Sequence, residues 1–145
     1  MSVNEWERHT LLASEAREVG DSLRAVLHYQ QALNVSEQML WNDDIDLEDK
    51  LVTSISACHN LATFWSDIGD VDFELKYLEL ASERVLTLIP QCPKRDCEAF
   101  ISSLGCCKKA LISFMKRHPN PKIAGLVSNI DSASSCKLIA KFTLN

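Results

Sequence analysis

The sequence predicts an all-α fold, and three observations support this prediction. Glycine and proline are scarce, with 4 of each among 145 residues. Apolar residues recur every three or four positions along most of the chain, and the pair Gly-Asp separates two such stretches at 20–21 and 69–70. A fold of many strands would need more turn residues. The composition, 46% hydrophobic and 24% charged, is typical of one globular domain.

The first two helices are predicted over about 4–19 and from about 22 to Trp41. Gly20 can adopt the positive φ that ends helices, and Asp21 or Ser22 can cap the helix that follows. The acidic stretch 41–49 then interrupts the pattern, because short acidic side chains compete with the helical backbone and favour caps.

The third helix is predicted from about Leu47, with apolar residues spaced 4-3-4-3 from Leu51 to Trp65. A fourth follows over about 71–89. Its apolar arc is broad, so we expect it to lie at the centre of the stack.

A fifth helix is predicted over about 95–117, after Pro90 and Pro93 end the fourth. Asn120 then caps a sixth segment, with Pro121 in its first turn. The tract 131–135 could break this segment. The six helices would form three antiparallel hairpins over about 4–41, 46–89 and 94–142, within a single domain 1–145.

The two Gly-Asp turns share a pattern that resembles the tetratricopeptide repeat (TPR), which has small residues at the helix contacts and large ones beside them. Each unit keeps five positions of that pattern. In the first unit they are Leu12, Ala13, Ala25, Tyr29 and Ala32, and in the second they are Leu61, Ala62, Trp65, Leu78 and Ala81. The second unit departs most at Glu74, where a carboxylate replaces a small residue. The 49-residue offset exceeds the usual 34, which implies long helices. The chain also resembles a small uncharacterised family of bacterial TPR-like proteins.

This resemblance implies a right-handed superhelical stack of hairpins. The first helix of each hairpin, here called a first helix, would line a concave, groove-like face. We therefore expect a non-enzymatic adaptor that binds a peptide or a partner helix there. The candidate contacts are Leu11, Arg17, His59, Asn60, Thr63, Asp67 and Lys109. TPR domains that bind chaperone tails use Lys and Asn residues on this face. Because Thr10 replaces the first Lys and only Asn60 matches, that role is disfavoured.

A second hypothesis is thiol chemistry or metal binding at Cys92, Cys97, Cys106 and Cys107. Structural zinc sites usually combine two close pairs of ligands, whereas Cys106 and Cys107 are adjacent on a predicted helix and point about 100° apart. Reduced, buried thiols are the favoured interpretation, with no metal and no cofactor.

The charge is distributed unevenly, and this supports a third hypothesis. Residues 1–100 carry 19 acids and 8 bases, whereas 101–145 carry 1 acid and 7 bases. The basic end could bind nucleic acid or an anionic surface. An overall pI near 5.3 disfavours nucleic acid, and docking on the acidic end of a second copy would give a homo-oligomer.

The remaining motifs predict no catalytic site. The acidic residues 43–49 lack the Gly and Glu of a calcium-binding EF-hand loop, and the four histidines show no metal or phosphate-binding motif. Neither a leader nor a membrane-length apolar run occurs, so we expect a cytoplasmic protein that does not bind membranes.

Overall fold

A computed structural model shows an all-α protein and describes residues 2–91 and 97–134. The predicted fold class is confirmed, because these residues contain six α-helices and no strand. The helices are α1 (Val3–Glu18), α2 (Ser22–Met39), α3 (Leu47–Ile68), α4 (Val71–Leu88), α5 (Cys97–Arg117) and α6 (Pro121–Ser134), with a short 3-10 turn at Ile89–Gln91. No helix among the described residues is long and apolar enough to cross a bilayer.

The first Gly-Asp turn ends α1 and starts α2 as predicted. Gly20 has φ +81°, which L side chains rarely adopt. The amide of Asp21 donates a hydrogen bond of 2.9 Å to the carbonyl of Ala16. Its carboxylate accepts one of 3.1 Å from the amide of Arg24, which caps α2.

The second turn repeats these interactions 49 residues later. Gly69 has φ +91°, and the amide of Asp70 donates to the carbonyl of Trp65 at 2.9 Å. The Asp70 carboxylate accepts from the amide of Phe73 at 3.0 Å. The echo in the sequence therefore corresponds to one helix–turn–helix geometry used twice.

Successive helices pack against each other, as short connections require of antiparallel hairpins. The odd-numbered helices are also neighbours, since α3 contacts both α1 and α5. Helix α4 contacts α3, α5 and α6, and its Tyr77 hydroxyl accepts a hydrogen bond from Gln30 of α2. Helix α4 thus packs between neighbours as expected, but the more central place belongs to α3, which contacts α1, α2, α4 and α5. Phe73 in the first turn of α4 is 39% exposed.

The core repeats between the first two hairpins. Seven pairs of positions related by the 49-residue offset are buried in both copies, namely Ala13 and Ala62, Ala25 and Glu74, Tyr29 and Leu78, Ala32 and Ala81, Leu33 and Ser82, Ser36 and Val85, and Met39 and Leu88. Side chains from all six helices form one buried hydrophobic cluster, which includes most of the apolar residues of these pairs.

The other helix ends agree with the predictions from sequence in some cases and not in others. Asn120 caps α6 as predicted, since its carboxamide oxygen accepts from the amide of Lys122 at 3.0 Å. Asp46 stands at the N-cap of α3, but its side chain makes no capping hydrogen bond. Helix α6 continues to Ser134, so the tract 131–135 does not break it before that residue, and the rest of the third unit, 135–142, lies outside the described residues.

Candidate functional site

Six polar side chains line a cleft between α3, α4 and α5, here called the central cleft. Its volume is about 230 Å³. The lining residues are His59, Ala62, Thr63, Ser66, Glu74, Leu78, Ala110, Ser113 and Arg117. The i, i+4 and i+7 spacing of α3 brings His59, Thr63 and Ser66 to this side.

The base of the central cleft is an ion pair between α4 and α5. The side chain of Glu74 is 6% exposed, whereas that of Arg117 is 46% exposed. Arg117 donates through Nη2 to Oε2 at 2.8 Å and through Nη1 to Oε1 at 3.4 Å, the two-pronged geometry typical of arginine and carboxylate. The hydrogen bond and charge of Glu74 raise the pKa of Arg117. The guanidinium also donates to the Ser66 hydroxyl at 3.4 Å.

His59 lies in the wall of the cleft in its neutral form. Burial lowers the pKa of this imidazole, because the protonated ring would lose its hydration. Its Nε2 atom is buried and has no hydrogen-bond partner among the described residues. This nitrogen therefore forms no nucleophile–base pair with a hydroxyl of the cleft.

The outer rim of the central cleft carries hydroxyl groups. Thr63 on α3 and Ser113 on α5 are both exposed, and they stand on opposite sides of the opening. Each hydroxyl can both donate and accept a hydrogen bond. The arrangement suits a polar ligand such as the backbone of a peptide, which offers N–H and C=O groups alternately.

A second cleft lies between α3 and α5 near their N-terminal ends, with a volume of about 390 Å³. We call it the acidic cleft, because Glu48 and Glu98 stand in its wall. It is lined by Glu48, Leu51, Val52, Glu98, Ala99, Ser102 and Ser103. Both clefts thus belong to the same pair of first helices.

The structure brings some of the predicted contacts together and separates others. Arg17 and Asp67 form an ion pair between α1 and α3, so their charges bind each other. His59 and Thr63 share the central cleft, and Asn60 lies half-buried beside them in sequence on α3.

The two remaining predicted contacts stand elsewhere on the first helices. Leu11 is 63% exposed on α1. Lys109 is exposed on α5, in a cleft of about 460 Å³ that it shares with Ser113 and Lys116.

Sequence reasoning missed four residues of the central cleft: Ser66, Glu74, Ser113 and Arg117. In the sequence, Glu74 stands out only as a departure from the repeat pattern. A carboxylate at a buried packing position needs a partner, and this requirement was the available signal. The sequence alone did not show which of the seven bases of the C-terminal third supplies it.

The thiols that the structure describes are mostly inaccessible. Burial raises the pKa of Cys58 and of Cys107 to about 12, so both remain protonated at neutral pH. Cys106, next to Cys107 in α5, is exposed, as expected for adjacent helical residues. The side chains of Cys92 and Cys97 lie outside the description. Within the described residues, no three His, Cys, Asp or Glu side chains are placed to hold a metal ion.

The basic third of the chain is partly neutralised within the molecule. Arg117, Lys108 and Lys122 form ion pairs with Glu74, Asp131 and Glu79, respectively. Lys109 and Lys116 are exposed and have no carboxylate partner among the described residues. The remaining bases, Lys137 and Lys141, lie outside them.

Fold and site together define a class: an all-α protein of paired helices with polar clefts between its first helices. The chain belongs to the family described as protein of unknown function DUF2753, whose model matches residues 4–145. It is 57% identical over 143 residues to an uncharacterized protein of Vibrio parahaemolyticus serotype O3:K6, covering 99% of each chain. The comparison with solved structures found no match.

Proposed function

We propose that this protein is a non-enzymatic, TPR-like interaction module that binds a peptide or partner helix on the face formed by α1, α3 and α5. In this proposal the three hairpins stack as a right-handed superhelix. The duplicated Gly-Asp geometry, the buried small residues at equivalent positions and the contacts of α3 with both α1 and α5 support it.

The observation that carries the proposal is the pair of open clefts between α3 and α5. The central cleft offers hydroxyls at its rim over a base where Glu74 and Arg117 neutralise each other. A ligand there meets hydrogen-bonding groups without an uncompensated buried charge. The acidic cleft is a separate opening between the N-terminal ends of the same two helices.

A binding role is favoured over catalysis by the state of His59. A general base must reach the proton that it removes, usually within hydrogen-bonding distance. The Nε2 atom of His59 is buried without such a contact in the part of the chain that the structure describes. The polar groups of the cleft that face outward are hydroxyls and a guanidinium, which suit recognition.

Panning a random peptide library against the full chain tests this proposal. A Ser113→Arg variant places a large side chain at the mouth of the central cleft. Ser128→Arg makes the same change at an exposed serine of α6 and serves as the matched control. We expect enriched peptides to bind the wild-type chain and the control, and to bind the Ser113→Arg variant at least tenfold more weakly. Failure to enrich any peptide, or equal binding to all three chains, would contradict the proposal.

A further inference from the structure

The exposed face of α2 carries a continuous row of uncharged side chains. Its members follow each other at spacings of 4, 4, 3, 4 and 3 residues, which places them within an arc of about 80° around the helix. They are Leu23, Leu27, Gln31, Asn34, Gln38 and Trp41, here called the α2 stripe, and all are exposed. Trp41 keeps the helical register, because Leu40 has φ −58° and ψ −30° and the Trp41 amide donates to the Gln38 carbonyl.

The α2 stripe differs from the exposed faces of the other described helices. Each of those five faces carries two or more charged side chains, such as Asp72, Lys76 and Glu83 on α4. On α2, Arg24 at the edge of the stripe is the only charged side chain in the exposed class, whereas Glu37 is half-buried. The stripe is also unusually apolar at its ends, where Leu23 is 71% exposed and Trp41 is 81% exposed. Depletion of charge and enrichment of aromatic residues are marks of protein interfaces.

The types of side chain follow a similar order along the stripe in both directions: apolar residues at one end, amides in the middle and apolar residues at the other end. We propose that two copies of this chain associate through the α2 stripe, with their α2 helices antiparallel about a two-fold axis near position 32. Position i then faces position 64 − i or 65 − i of the second copy. Leu23 meets Trp41 of the second copy, and Gln31 meets its Asn34.

The central amides favour a second copy as the occupant. A carboxamide both donates and accepts hydrogen bonds, so it can pair with another carboxamide across a two-fold axis. A charged group at such a position would face its own like charge. The whole chain carries a net charge of −5, which makes the uncharged stripe a favourable surface for self-association.

A small cleft beside Trp41 provides a receptor for the apolar end of the second copy. Its volume is about 210 Å³, and its wall includes Leu40, Thr87 and Leu88. Glu37 and Arg84, also in the wall, neutralise each other at 2.7 Å. Leu23 of the second copy can therefore enter this cleft without facing an unpaired charge.

The available area sets the expected strength of the dimer. Trp41, Leu23 and Leu27 together expose roughly 400 Å² of mostly apolar surface per copy, given side-chain areas of about 150–250 Å². A standard interface buries about 800 Å² per partner. The dimer should therefore be reversible, with a dissociation constant in the micromolar range or weaker.

Charge substitutions in the middle of the stripe test the proposal on the full chain. One variant carries Gln31→Glu and Asn34→Glu, and a second carries Gln31→Lys and Asn34→Lys. All four changes are at exposed positions, so the fold should persist. The control carries Ser14→Glu and Ser128→Glu, which add the same charge as the Glu variant but at exposed positions of α1 and α6. Sedimentation equilibrium across a wide concentration range measures the association.

We expect the wild-type chain and the control to dimerise, and each stripe variant alone to dissociate at least tenfold more readily. An equimolar mixture of the Glu and Lys variants should restore a heterodimer, because Gln31 and Asn34 face each other across the axis. A wild-type chain that is monomeric at every concentration overturns the proposal. So do a dimer that the stripe variants leave unchanged and a mixture that stays monomeric. None of these results bears on peptide binding at the central cleft.

Discussion

Glu74 occupies the position that Ala25 holds in the first hairpin, and the two residues are about equally buried. Burying a carboxylate costs free energy unless a partner compensates it. Arg117 supplies this partner from α5, 43 residues away in sequence. The exchange of a small residue for a carboxylate therefore converts a packing position into a polar link between the second and third hairpins.

We predict that Arg117→Met lowers the free energy of unfolding by about 2 kcal/mol, because the Glu74 carboxylate stays buried without its partner. The half-exposed state of Arg117 keeps the cost below that of a fully buried pair. Adding Glu74→Ala to this variant should recover part of the loss, since it restores the small residue of the repeat. Urea denaturation of the single and double variants measures both effects, and a double variant less stable than Arg117→Met would refute the interpretation.

A second prediction at the residue scale concerns acid sensitivity. Burial lowers the pKa of His59, and burial, Arg8 and His28 lower that of His9, whose Nδ1 lies 3.3 Å from Nδ1 of His28. The unfolded chain then binds more protons than the folded chain just below pH 6.5. The contribution of the neutral rings to stability is complete above pH 6.5 and is lost as the pH falls toward the folded pKa values.

A His59→Leu variant should therefore lose less stability between pH 7.5 and 5 than the wild-type chain. One proton corresponds to a slope of at most about 1.4 kcal/mol per pH unit. At pH 7.5 the variant should be at least as stable as the wild-type chain, because Nε2 of His59 makes no hydrogen bond that the substitution would remove. Urea denaturation at several pH values provides the comparison, with His9→Leu as a second variant. Identical slopes for His59→Leu and wild type would show that His59 titrates normally.

At the scale of the elements, the turns and the helix interiors use glycine differently. Gly69 has φ +91°, whereas Gly105 lies inside α5. A Cβ atom added at either position would meet no atom within 4 Å, so steric contact does not distinguish the two sites. The backbone conformation alone should decide the effect of a substitution.

We predict opposite effects for the same substitution at these two glycines. Gly69→Ala should destabilise the protein by about 1 kcal/mol, because an L residue is strained in the left-handed region. Gly105→Ala should stabilise it by about 0.5–1 kcal/mol, because alanine loses less conformational entropy in a helix. Thermal and urea denaturation measure both. Equal effects of the same sign would mean that the turn at Gly69 can rearrange.

At the scale of the whole molecule, one core joins the three hairpins. Cys58 of α3 and Cys107 of α5 are both buried in the same cluster, one in the second hairpin and the other in the third. Their thiols can therefore report whether the hairpins open together or separately.

We predict that Cys58 and Cys107 react with a thiol reagent only through the same cooperative opening. A chain with the other four cysteines replaced by serine isolates these two thiols. In the native state both should be strongly protected, and their labelling should show the same dependence on urea. Mass spectrometry of the labelled peptides measures each site. Much faster labelling of Cys107 would show instead that the third hairpin opens independently.

The helices and their ends were predictable from the sequence because their causes are local. Apolar spacing indicates a helix, and Gly20, Asp21, Gly69, Asp70 and Asn120 act within a few residues of their own positions. The missing cap at Asp46 shows the limit of this reasoning, since residue type gives only a preference.

The candidate site could be predicted only in part because most of its interactions join distant residues. Among the contacts expected from the resemblance, His59 and Thr63 line the central cleft, whereas Arg17 and Asp67 form an ion pair with each other. The sequence by itself determined the all-α fold and the repeated turn, which depend on short-range chemistry. Only the tertiary structure decided that Arg117 meets Glu74 and that α2 leaves an uncharged stripe exposed, because both depend on how the helices are stacked.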